Sequence, residues 1–388
     1  SNFMVNLWER FNMSGILQSL FANMRSFGPA SIEGQLWSWG PGTDGRSGIG
    51  STASKSSPVQ VGSDEDWLEG AGGVYHGIFP NSLGKMYSFG RNANRQLGLG
   101  HNSKKSNPTQ IGSLTTWLQV TAGYYFSAAL KTDGTIWGWG QNDNGQVGNG
   151  TTTEKSVPVQ IGSATNWAQM QAGGFHNAAI NTDGQLYTWG VAGGLGNGDG
   201  QGADRTAPGI VGDLTNWAQV SGGGASTDAF CIAVKTDNTL WAWGFGAGGR
   251  LGTGNTTNRF SPVQIGSLTN WLKVSSSVKH TLALKTDGTL WAWGGNDAYH
   301  LGDGSATNRS SPVQIGSATT WEKLAAYAFN SQAIESGKMY AWGYGGLGAN
   351  GQGNTSGQST PVQVGSLTTW TGIVNNSYGY SLHGIKSS

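Results

Sequence analysis

The sequence is poor in cysteine and in charge, and these shortages exclude several kinds of protein. Its 388 residues include a single cysteine, Cys231, so neither an intrachain disulfide nor a thiolate metal cluster is possible. Only 11% of the residues are charged, and the formal net charge is +1. Because no long run of lysine or arginine supplies an electrostatic footprint, we expect no nucleic-acid partner.

Long apolar runs are also missing. No stretch approaches the ~18 to 20 apolar residues that cross a membrane, so we expect no membrane span. Residues 1–24 contain Glu9 and Arg10 and lack a basic start before an unbroken apolar core, which is not the pattern of a signal peptide. A chain rich in Ser, Thr, Asn and Gly and poor in Lys and Glu weakly favours a virion or extracellular location.

Glycine and tryptophan are abundant and follow a period. The chain holds 66 Gly and 18 Trp, and 17 of these tryptophans fall at repeat positions. Seven of the ten prolines also occupy one position of the unit. A strand of the form LWAWG ends at seven glycines spaced 50, 50, 50, 54, 50 and 49 residues apart: Gly40, Gly90, Gly140, Gly190, Gly244, Gly294 and Gly343. The chain therefore consists of seven copies of one unit.

Each unit predicts four short strands. In LKTDGTLWAWG, residues 284–294, the Asp-Gly pair is typical of a tight hairpin turn. Strand alternation then places Trp291 and Trp293 on one face of the sheet and Leu290 and Ala292 on the other. Since both faces are apolar, each sheet must pack between two neighbours. Seven such sheets around an axis predict an all-β, seven-bladed β-propeller with four-stranded blades.

The ends of the repeat predict how the ring closes. The repeat begins at the tryptophan strand and ends without one, so residues 370–386 supply what residues 31–62 lack. We expect these segments to pair, which closes the propeller by joining N- and C-terminal strands. The predicted domains are an N-terminal amphipathic helical arm over residues 1–30 and the propeller over residues 31–388.

The repeated motif resembles the regulator of chromosome condensation repeat. The resemblance is carried by ALKTDGTLWAWG followed by PVQI, with a histidine in the preceding strand at His76, His176 and His280. It extends over about residues 31–386, and the Trp-Asp strand ends of WD repeats are absent. The resemblance implies a seven-bladed propeller. It leaves the function open, because one fold serves unrelated tasks.

The family's founding eukaryotic member exchanges nucleotide on the Ran GTPase through one face and an inserted β-wedge, and it holds chromatin with a basic N-terminal arm. Here the only expansion is four residues long, around residues 222–230, and the first 30 residues carry two cations, Arg10 and Arg25. We therefore expect a non-enzymatic structural or protein-interaction module. A guanine-nucleotide exchange factor for a small GTPase is the alternative.

Catalytic, cofactor and metal sites are not expected. Asp133, Asp183 and Asp287 occupy the hairpin turns, where turn chemistry explains them. The three histidines occupy one repeat position, and we expect each imidazole to bond a backbone group of its own blade rather than a metal. The sequence thus predicts a protein without enzymatic activity.

Specificity is expected where the repeat fails. Apolar residues of the arm recur at helical spacing, and the arm is expected either to cap its own ring or to dock into another protein. Residues 191–209 and 222–230 depart from the repeat and are candidate contact loops on one rim. The predicted partner-binding residues are Phe3, Trp8, Phe11, Leu17, Phe21, Asp199, Asp204 and Arg205.

The composition and the repeat favour a role in assembly. We expect a virus-particle component, such as a capsid decoration or tail protein, or a secreted binding protein, with other proteins as partners. A carbohydrate-binding propeller is a further alternative, for which Tyr124, Tyr299 and Tyr378 supply aromatic rings.

Overall fold

Short antiparallel strands account for the regular structure in the computed structural model. The residues that it describes are 33–192, 198, 200, 202–225, 227–374 and 381–387. The predicted N-terminal helical arm lies outside these residues. Within them, the helical elements are three short 3-10 turns, Thr43–Gly45, Ala247–Gly249 and Gly346–Gly348. None of these is long and apolar enough to cross a membrane.

The strands form seven four-stranded antiparallel sheets, as predicted. Blade 1 contains β3 (Ala71–Gly72), β4 (His76–Pro80), β5 (Met86–Gly90) and β6 (Lys105–Gln110); blade 2 contains β7 (Trp117–Ala122), β8 (Phe126–Lys131), β9 (Ile136–Gly140) and β10 (Lys155–Gln160); blade 3 contains β11 (Trp167–Ala172), β12 (His176–Asn181), β13 (Leu186–Gly190) and β14 (Arg205–Ile210); blade 4 contains β15 (Trp217–Gly223), β16 (Phe230–Lys235), β17 (Leu240–Gly244) and β18 (Arg259–Gln264). Blade 5 contains β19 (Trp271–Ser276), β20 (His280–Lys285), β21 (Leu290–Gly294) and β22 (Arg309–Gln314); blade 6 contains β23 (Trp321–Ala326), β24 (Asn330–Glu335), β25 (Lys338–Gly343) and β26 (Gln358–Gln363); blade 7 contains β27 (Trp370–Ile373), β28 (Leu382–Lys386), β1 (Gln35–Gly40) and β2 (Lys55–Gln60).

Blade 7 joins the two ends of the repeat. Its strand order is β2, β1, β28, β27, and β1 pairs with β28 in a register that sets Gln35 opposite Lys386 and Trp39 opposite Leu382. The backbone hydrogen bonds of this pairing link residues more than 340 positions apart. Opening the ring would therefore expose the interior of a whole blade.

The core is divided into seven clusters, each between two neighbouring blades. Trp291 and Trp293 pack with Trp271 towards blade 4, whereas Leu290 and Ala292 pack towards blade 6. This confirms the alternation predicted from the sequence. The second aromatic residue of the strand is fully buried between blades. Six tryptophans and Phe89 occupy this position and account for much of the apolar surface removed from water.

One glycine of each long loop covers the buried ring of the next blade. At Gly98, where φ is +70°, an added Cβ would lie 2.8 Å from Nε1 of Trp139. The Trp139 indole donates a hydrogen bond of 2.9 Å to the Gln96 carbonyl two residues earlier. Glycine is required here because both the backbone conformation and the close approach exclude a side chain.

The residue that ends or directly follows the second strand varies together with the first aromatic residue of the third strand. The Lys131 ammonium lies 3.7 Å from the Trp137 ring centroid, and Lys285 lies 3.6 Å from Trp291. The same partners recur as Lys235 with Trp241 and Lys386 with Trp37. Where tyrosine replaces tryptophan, lysine is also replaced, as in Asn81 with Tyr87, Asn181 with Tyr187 and Glu335 with Tyr340. This joint replacement is expected if the lysine and the tryptophan are retained together for their cation–π contact.

The topology gives the ring two unlike faces. The first strand of each blade lies nearest the axis, since these strands contact one another around the ring. The turn between the first and second strands and the long glycine-rich loop between the third and fourth strands lie at one end, which we call the glycine-loop face. The Asp-Gly hairpins and the connections between blades lie at the other end, which we call the hairpin face.

Candidate functional site

Four half-buried aromatic side chains meet near the axis on the glycine-loop face, and we call them the aromatic cluster: Tyr75, Tyr124, Tyr125 and Phe175. Tyr75 and Tyr125 are stacked, with ring centroids 6.0 Å apart and planes at 11°. Phe175 lies 5.0 Å from Tyr124 and 6.2 Å from Tyr125. The cluster thus spans blades 1 to 3 and leaves part of each ring open to solvent.

The repeat places these rings side by side. Tyr75, Tyr125 and Phe175 each precede the first residue of the second strand, at the end of a tight turn that begins with glycine. At Gly73 an added Cβ would lie 2.2 Å from Cε1 of His76, so the turn folds closely over the residue below it. The side chain at the end of the turn is thereby directed to the glycine-loop face.

Two arginines hold the edge of the aromatic cluster. The Arg46 guanidinium lies 4.4 Å from the Tyr75 ring centroid and donates a hydrogen bond of 3.2 Å to the Val74 carbonyl. Arg91 lies 5.3 Å from the Tyr75 centroid and 5.8 Å from the Tyr125 centroid. Guanidinium groups against aromatic faces rigidify both partners and leave donors available to a ligand.

Charge is separated between the two faces of blade 1. On the glycine-loop face, Arg91 is accompanied by Arg95 and Lys104, each with an acidic partner from a neighbouring blade. These partners are Glu154, 3.1 Å from Arg95, and Asp44, 3.6 Å from Lys104. On the hairpin face of the same blade the connection from blade 7 carries Asp64, Glu65 and Asp66. The basic glycine-loop face of blade 1 favours a partner protein with an acidic surface.

The expanded loop of blade 4 lies next to the aromatic cluster. The loop follows β15, and the Gly224 carbonyl accepts a hydrogen bond of 3.3 Å from the backbone N–H of Gly174, which precedes Phe175. Asp228 pairs with Arg250 at 2.8 Å, and Arg250 also donates to the Val278 carbonyl. The described residues of the expansion are therefore tied to blade 5 through Asp228 and Arg250.

The three histidines of the repeat join neighbouring blades. His76 Nε2 lies 2.9 Å from the Ser127 hydroxyl, and His280 Nε2 lies 2.8 Å from the Ser331 hydroxyl. His176 contacts the Cys231 sulfur at 3.5 Å. The sequence predicted that each imidazole bonds a backbone group of its own blade. This prediction was wrong, because each imidazole reaches across the interface to a side chain of the next blade. We refer to these contacts as the histidine latches.

Burial keeps these imidazoles neutral. It lowers the pKa of His76 to about 3 and that of His176 to about 4, and it lowers the pKa of His280 well below the usual value, with His300 as a second cause. Burial likewise raises the pKa of the Cys231 thiol, so this cysteine is not a reactive thiolate. The histidine latches therefore join neighbouring blades as buried, neutral side chains.

The turn carboxylates are engaged locally. Asp133 accepts hydrogen bonds from the Thr135 backbone at 3.0 Å and from its hydroxyl at 2.6 Å, and the hydroxyl bond is the main cause that lowers the pKa of Asp133. Asp287 bonds Thr289 in the same manner. Among the residues that the structure describes, no group of three or more His, Cys, Asp or Glu side chains is arranged to hold a metal ion.

The structure describes only two of the predicted partner-binding residues. Asp204 accepts a hydrogen bond of 2.8 Å from the Ala192 backbone, and Arg205 donates to the Thr188 hydroxyl at 3.5 Å. Both lie on the outer rim of blade 3 and are not brought to the aromatic cluster. The other six, Phe3, Trp8, Phe11, Leu17, Phe21 and Asp199, lie outside the described residues.

Sequence reasoning missed most of the aromatic cluster. Of the rings proposed for carbohydrate binding, Tyr124 belongs to the cluster, Tyr299 is exposed on the glycine loop of blade 5, and Tyr378 lies outside the described residues. The missed signal is the variability of one position, which holds Tyr75, Tyr125, Phe175, Ala229, Lys279 and Phe329 while its neighbours repeat. A variable residue in a constant frame marks a surface that packing does not determine.

Comparisons with known proteins agree with the fold. The human WBSCR16 crystal structure matches with a TM-score of 0.80 at 19% identity, over 91% of this chain and 99% of that one. Prp20p from Saccharomyces cerevisiae matches with a TM-score of 0.82 at 19% identity, over 97% of each chain. The structure of Kap60 bound to yeast RCC1 (Prp20) matches with a TM-score of 0.79 at 19% identity, over 92% of this chain and 90% of that one. No curated protein matches in sequence.

These matches correct two expectations. A virus-particle component or secreted binding protein is wrong as the main function, and the lean towards a virion or extracellular location is also wrong, because the matches are to RCC1 repeats and to the yeast protein studied with Gsp1p, histones and Kap60. The expectation rested on low charge, which in this fold reflects turn chemistry: the Asn142 amide, for example, bonds the carbonyls of Thr151 and Thr153. The expectation that this chain has no nucleic-acid partner gains no support from these matches.

The sequence itself decides the family. The model of the RCC1-like domain matches residues 112–382, and the model of the regulator of chromosome condensation (RCC1) repeat matches residues 33–79 and 84–130. These matches confirm the resemblance found in the repeated motif. The chain belongs to the family of RCC1-like domains.

Proposed function

We propose that this propeller is a protein-interaction module of the exchange-factor type, which docks a small GTPase on its glycine-loop face. The observation that carries the proposal is the aromatic cluster with its two arginines. Tyrosine and arginine are the residue types that dominate binding energy at protein interfaces, and here they are gathered near the axis of one face.

The geometry of the cluster favours a protein partner. Tyr75 and Tyr125 are already stacked, and Arg91 is held over both rings, so little side-chain freedom is lost when a partner binds. The rings are half-buried, which leaves an amphipathic surface rather than a deep pocket. The adjacent loop of blade 4, tied by Asp228 and Arg250, extends this surface towards blade 5.

The comparisons support the type of partner. The structure of yeast Prp20p was described together with its binding to Gsp1p and histones, and that protein has the same fold as this chain. The basic side of the aromatic cluster suits an acidic patch on a GTPase. The blade 4 loop is short and tied down. We therefore expect that this chain binds a GTPase more clearly than it accelerates nucleotide release, so that binding is the stronger test of this function.

The absence of covalent chemistry is part of the proposal. The carboxylates of Asp133 and Asp287 are bonded to their own threonines, Asp183 accepts from neighbouring asparagines, and the histidine latches are neutral and buried. Exchange of a bound nucleotide requires only that the partner's nucleotide-binding conformation be destabilised through contacts. Protein contact is what the aromatic cluster offers.

The test uses the full chain and GTPases of the Gsp1p type loaded with fluorescent GDP. Binding is measured by biolayer interferometry, and nucleotide release by the loss of fluorescence. We expect Tyr125→Ala and Arg91→Ala each to weaken binding by at least about tenfold, since truncation of a hot-spot tyrosine or arginine costs about 2 kcal/mol or more.

Leu268→Ala is the matched control. Leu268 is exposed on the hairpin face, so its truncation should change neither binding nor release. Thermal unfolding of each variant separates lost contacts from lost folding. A GTPase panel without binding, or equal affinity for the Tyr125 and Leu268 variants, would refute the proposal.

A further inference from the structure

Leucine side chains are exposed in the turns and connections of the hairpin face. Leu83 is 61% exposed in the hairpin turn of blade 1. Four others occupy one position of the connections between blades and are 38 to 47% exposed: Leu114, Leu214, Leu268 and Leu367. A single exposed leucine is ordinary, whereas several at one end of a molecule are typical of a contact surface.

Leu83 departs from the turn chemistry of the repeat. Four other hairpins carry aspartate at this position: Asp133, Asp183, Asp237 and Asp287. In the blade 1 turn the Lys85 N–H donates to the Asn81 side-chain oxygen at 3.0 Å, so the turn is held without a polar group at residue 83. The Leu83 side chain is therefore available for contact.

Residues 1–32 join the propeller on the same face, at what we call the entry point. Gly34 takes the place of the hairpin glycine in blade 7, and it exchanges two backbone hydrogen bonds of 3.1 Å with Trp67 in the connection to blade 1. This connection also meets the blade 1 hairpin, where the Ser82 N–H donates to the Asp66 carbonyl at 2.8 Å. The entry point is therefore one connection away from the blade 1 hairpin.

Three of the leucines flank the entry point. Leu83 and Leu114 lie on adjoining segments, because the connection that carries Leu114 passes over the blade 1 hairpin: an added Cβ at Gly84 would lie 2.2 Å from the Thr115 carbonyl oxygen. On the other side of the entry point, Leu367 lies in the connection that leads from blade 6 into the closing blade. We call Leu83, Leu114 and Leu367 the leucine patch.

We propose that residues 1–32 of this chain dock on the leucine patch and cover it. Four apolar residues of this segment recur at the spacing of one helical side: Leu17, Leu20, Phe21 and Met24. The ten residues from Met24 to Gly34 extend over at most about 36 Å, so these side chains are held near the entry point. Contact between them and the exposed leucines removes apolar surface from water on both sides.

Charge favours the same arrangement. Residues 1–32 carry two cations, Arg10 and Arg25, and one acidic residue. The connection between the entry point and the blade 1 hairpin carries Asp64 and Glu65, both exposed. Opposite charges beside an apolar contact help to fix its orientation. The leucine patch lies at the opposite end from the aromatic cluster, so this docking does not depend on the proposed GTPase function.

Limited proteolysis of the full chain measures the docking. Trypsin cleaves after Arg25, and the fragments are quantified by mass spectrometry. The cleavage rate follows the fraction of molecules in which the segment is undocked. We expect Leu83→Asn to raise this rate at least about fivefold, because it places a polar amide in an apolar contact. Asparagine suits a turn as the aspartates of the other hairpins do, so the variant should fold.

Leu268→Asn is the matched control. It makes the same change at an exposed leucine of the same face, but in the connection from blade 4 to blade 5, away from the entry point. Cleavage after Arg25 should proceed at the parent rate, and thermal unfolding of both variants verifies their fold. Equal rates in the parent and Leu83→Asn, or an equal rise in Leu268→Asn, would overturn the proposal.

Photo-crosslinking locates the docked segment. Benzoylphenylalanine replaces Phe21 in the full chain, an equal mixture of isotope-labelled and unlabelled chains is irradiated, and the cross-links are mapped by mass spectrometry. We expect cross-links within one chain to residues 82–84, 113–115 or 366–368. Cross-links formed only between two chains, cross-links only to the glycine-loop face, or none at all would rule out docking on the leucine patch.

Discussion

Two sectors of the ring are joined by different chemistry at the same level along the axis. Between blades 2 and 5, the neutral amides of Gln119, Gln169 and Gln219 bond the backbone of the next blade. From blade 5 through the closing blade to blade 1, charged residues and glycine replace them, and Lys323 reaches Glu69 across blade 7. We call these the ladder sector and the seam sector.

The difference shows what repetition can and cannot supply. An amide satisfies one N–H and one C=O of any neighbouring strand, so the same residue serves wherever blades follow one another. An ion pair requires two unlike residues at one place. It suits the seam, where the two ends of the repeat meet only once.

The largest expected effect compares Trp217→Ala in the ladder sector with Trp370→Ala in the seam. Both rings are fully buried at equivalent positions, and each truncation should cost about 3 to 5 kcal/mol of unfolding free energy in urea. Hydrogen exchange should distinguish them. Trp370→Ala should expose β1 and β28, which pair in the closing blade, while Trp217→Ala should expose blades 3 and 4. Identical patterns would contradict a distinct seam.

Gln219→Leu tests the ladder itself. The substitution leaves the N–H and carbonyl of Val274 without their partner, and we expect a loss of about 2 to 3 kcal/mol in urea unfolding. Lys273→Leu is the comparison in the seam, where no backbone bond is lost. A loss in Lys273→Leu as large as that in Gln219→Leu would show that the ladder bonds add nothing.

His280→Phe tests the latch between blades 5 and 6. Phenylalanine occupies this position at Phe126 and Phe230, so the ring should be accommodated. As pH falls below about 6.5, the unfolded chain binds a proton at His280 that the folded chain does not, because its folded pKa is depressed; the parent therefore loses stability with falling pH.

The His280→Phe variant lacks this loss of stability with falling pH. Relative to the parent, its unfolding free energy should improve by about 2 kcal/mol between pH 8 and pH 5. Urea unfolding at both pH values measures the change. The same pH dependence in both proteins would show that His280 is protonated in the folded state.

Glu69→Gln should have the smallest effect. Its ion pair with Lys323 is partly exposed, with 22% and 29% of the two side chains accessible, so its loss should cost only about 1 kcal/mol in urea unfolding. High salt should reduce the difference between parent and variant. A salt-independent difference would assign the effect to packing instead of charge.

The candidate site was less accessible to prediction than the fold. The sequence offers Tyr124 as an available ring, but no pattern in it singles out Tyr75, Tyr125, Phe175 and Arg91, because they come together only when the turns of three blades lie side by side. Low charge is a poor indicator of location in this fold, because it follows from the polar side chains that bond the backbone in each turn. The arm remains a prediction.

Sequence alone determined the seven-bladed ring, its four-stranded blades and the opposite faces of Trp291 and Leu290. These features depend on alternation, glycine turns and spacing within one unit of about 50 residues, which the chain writes out seven times. Only the tertiary structure decided that His280 meets Ser331, 51 positions away, and that Lys323 meets Glu69, 254 positions away. Such contacts depend on how neighbouring blades rotate about the axis and on closure of the ring, which no local pattern specifies.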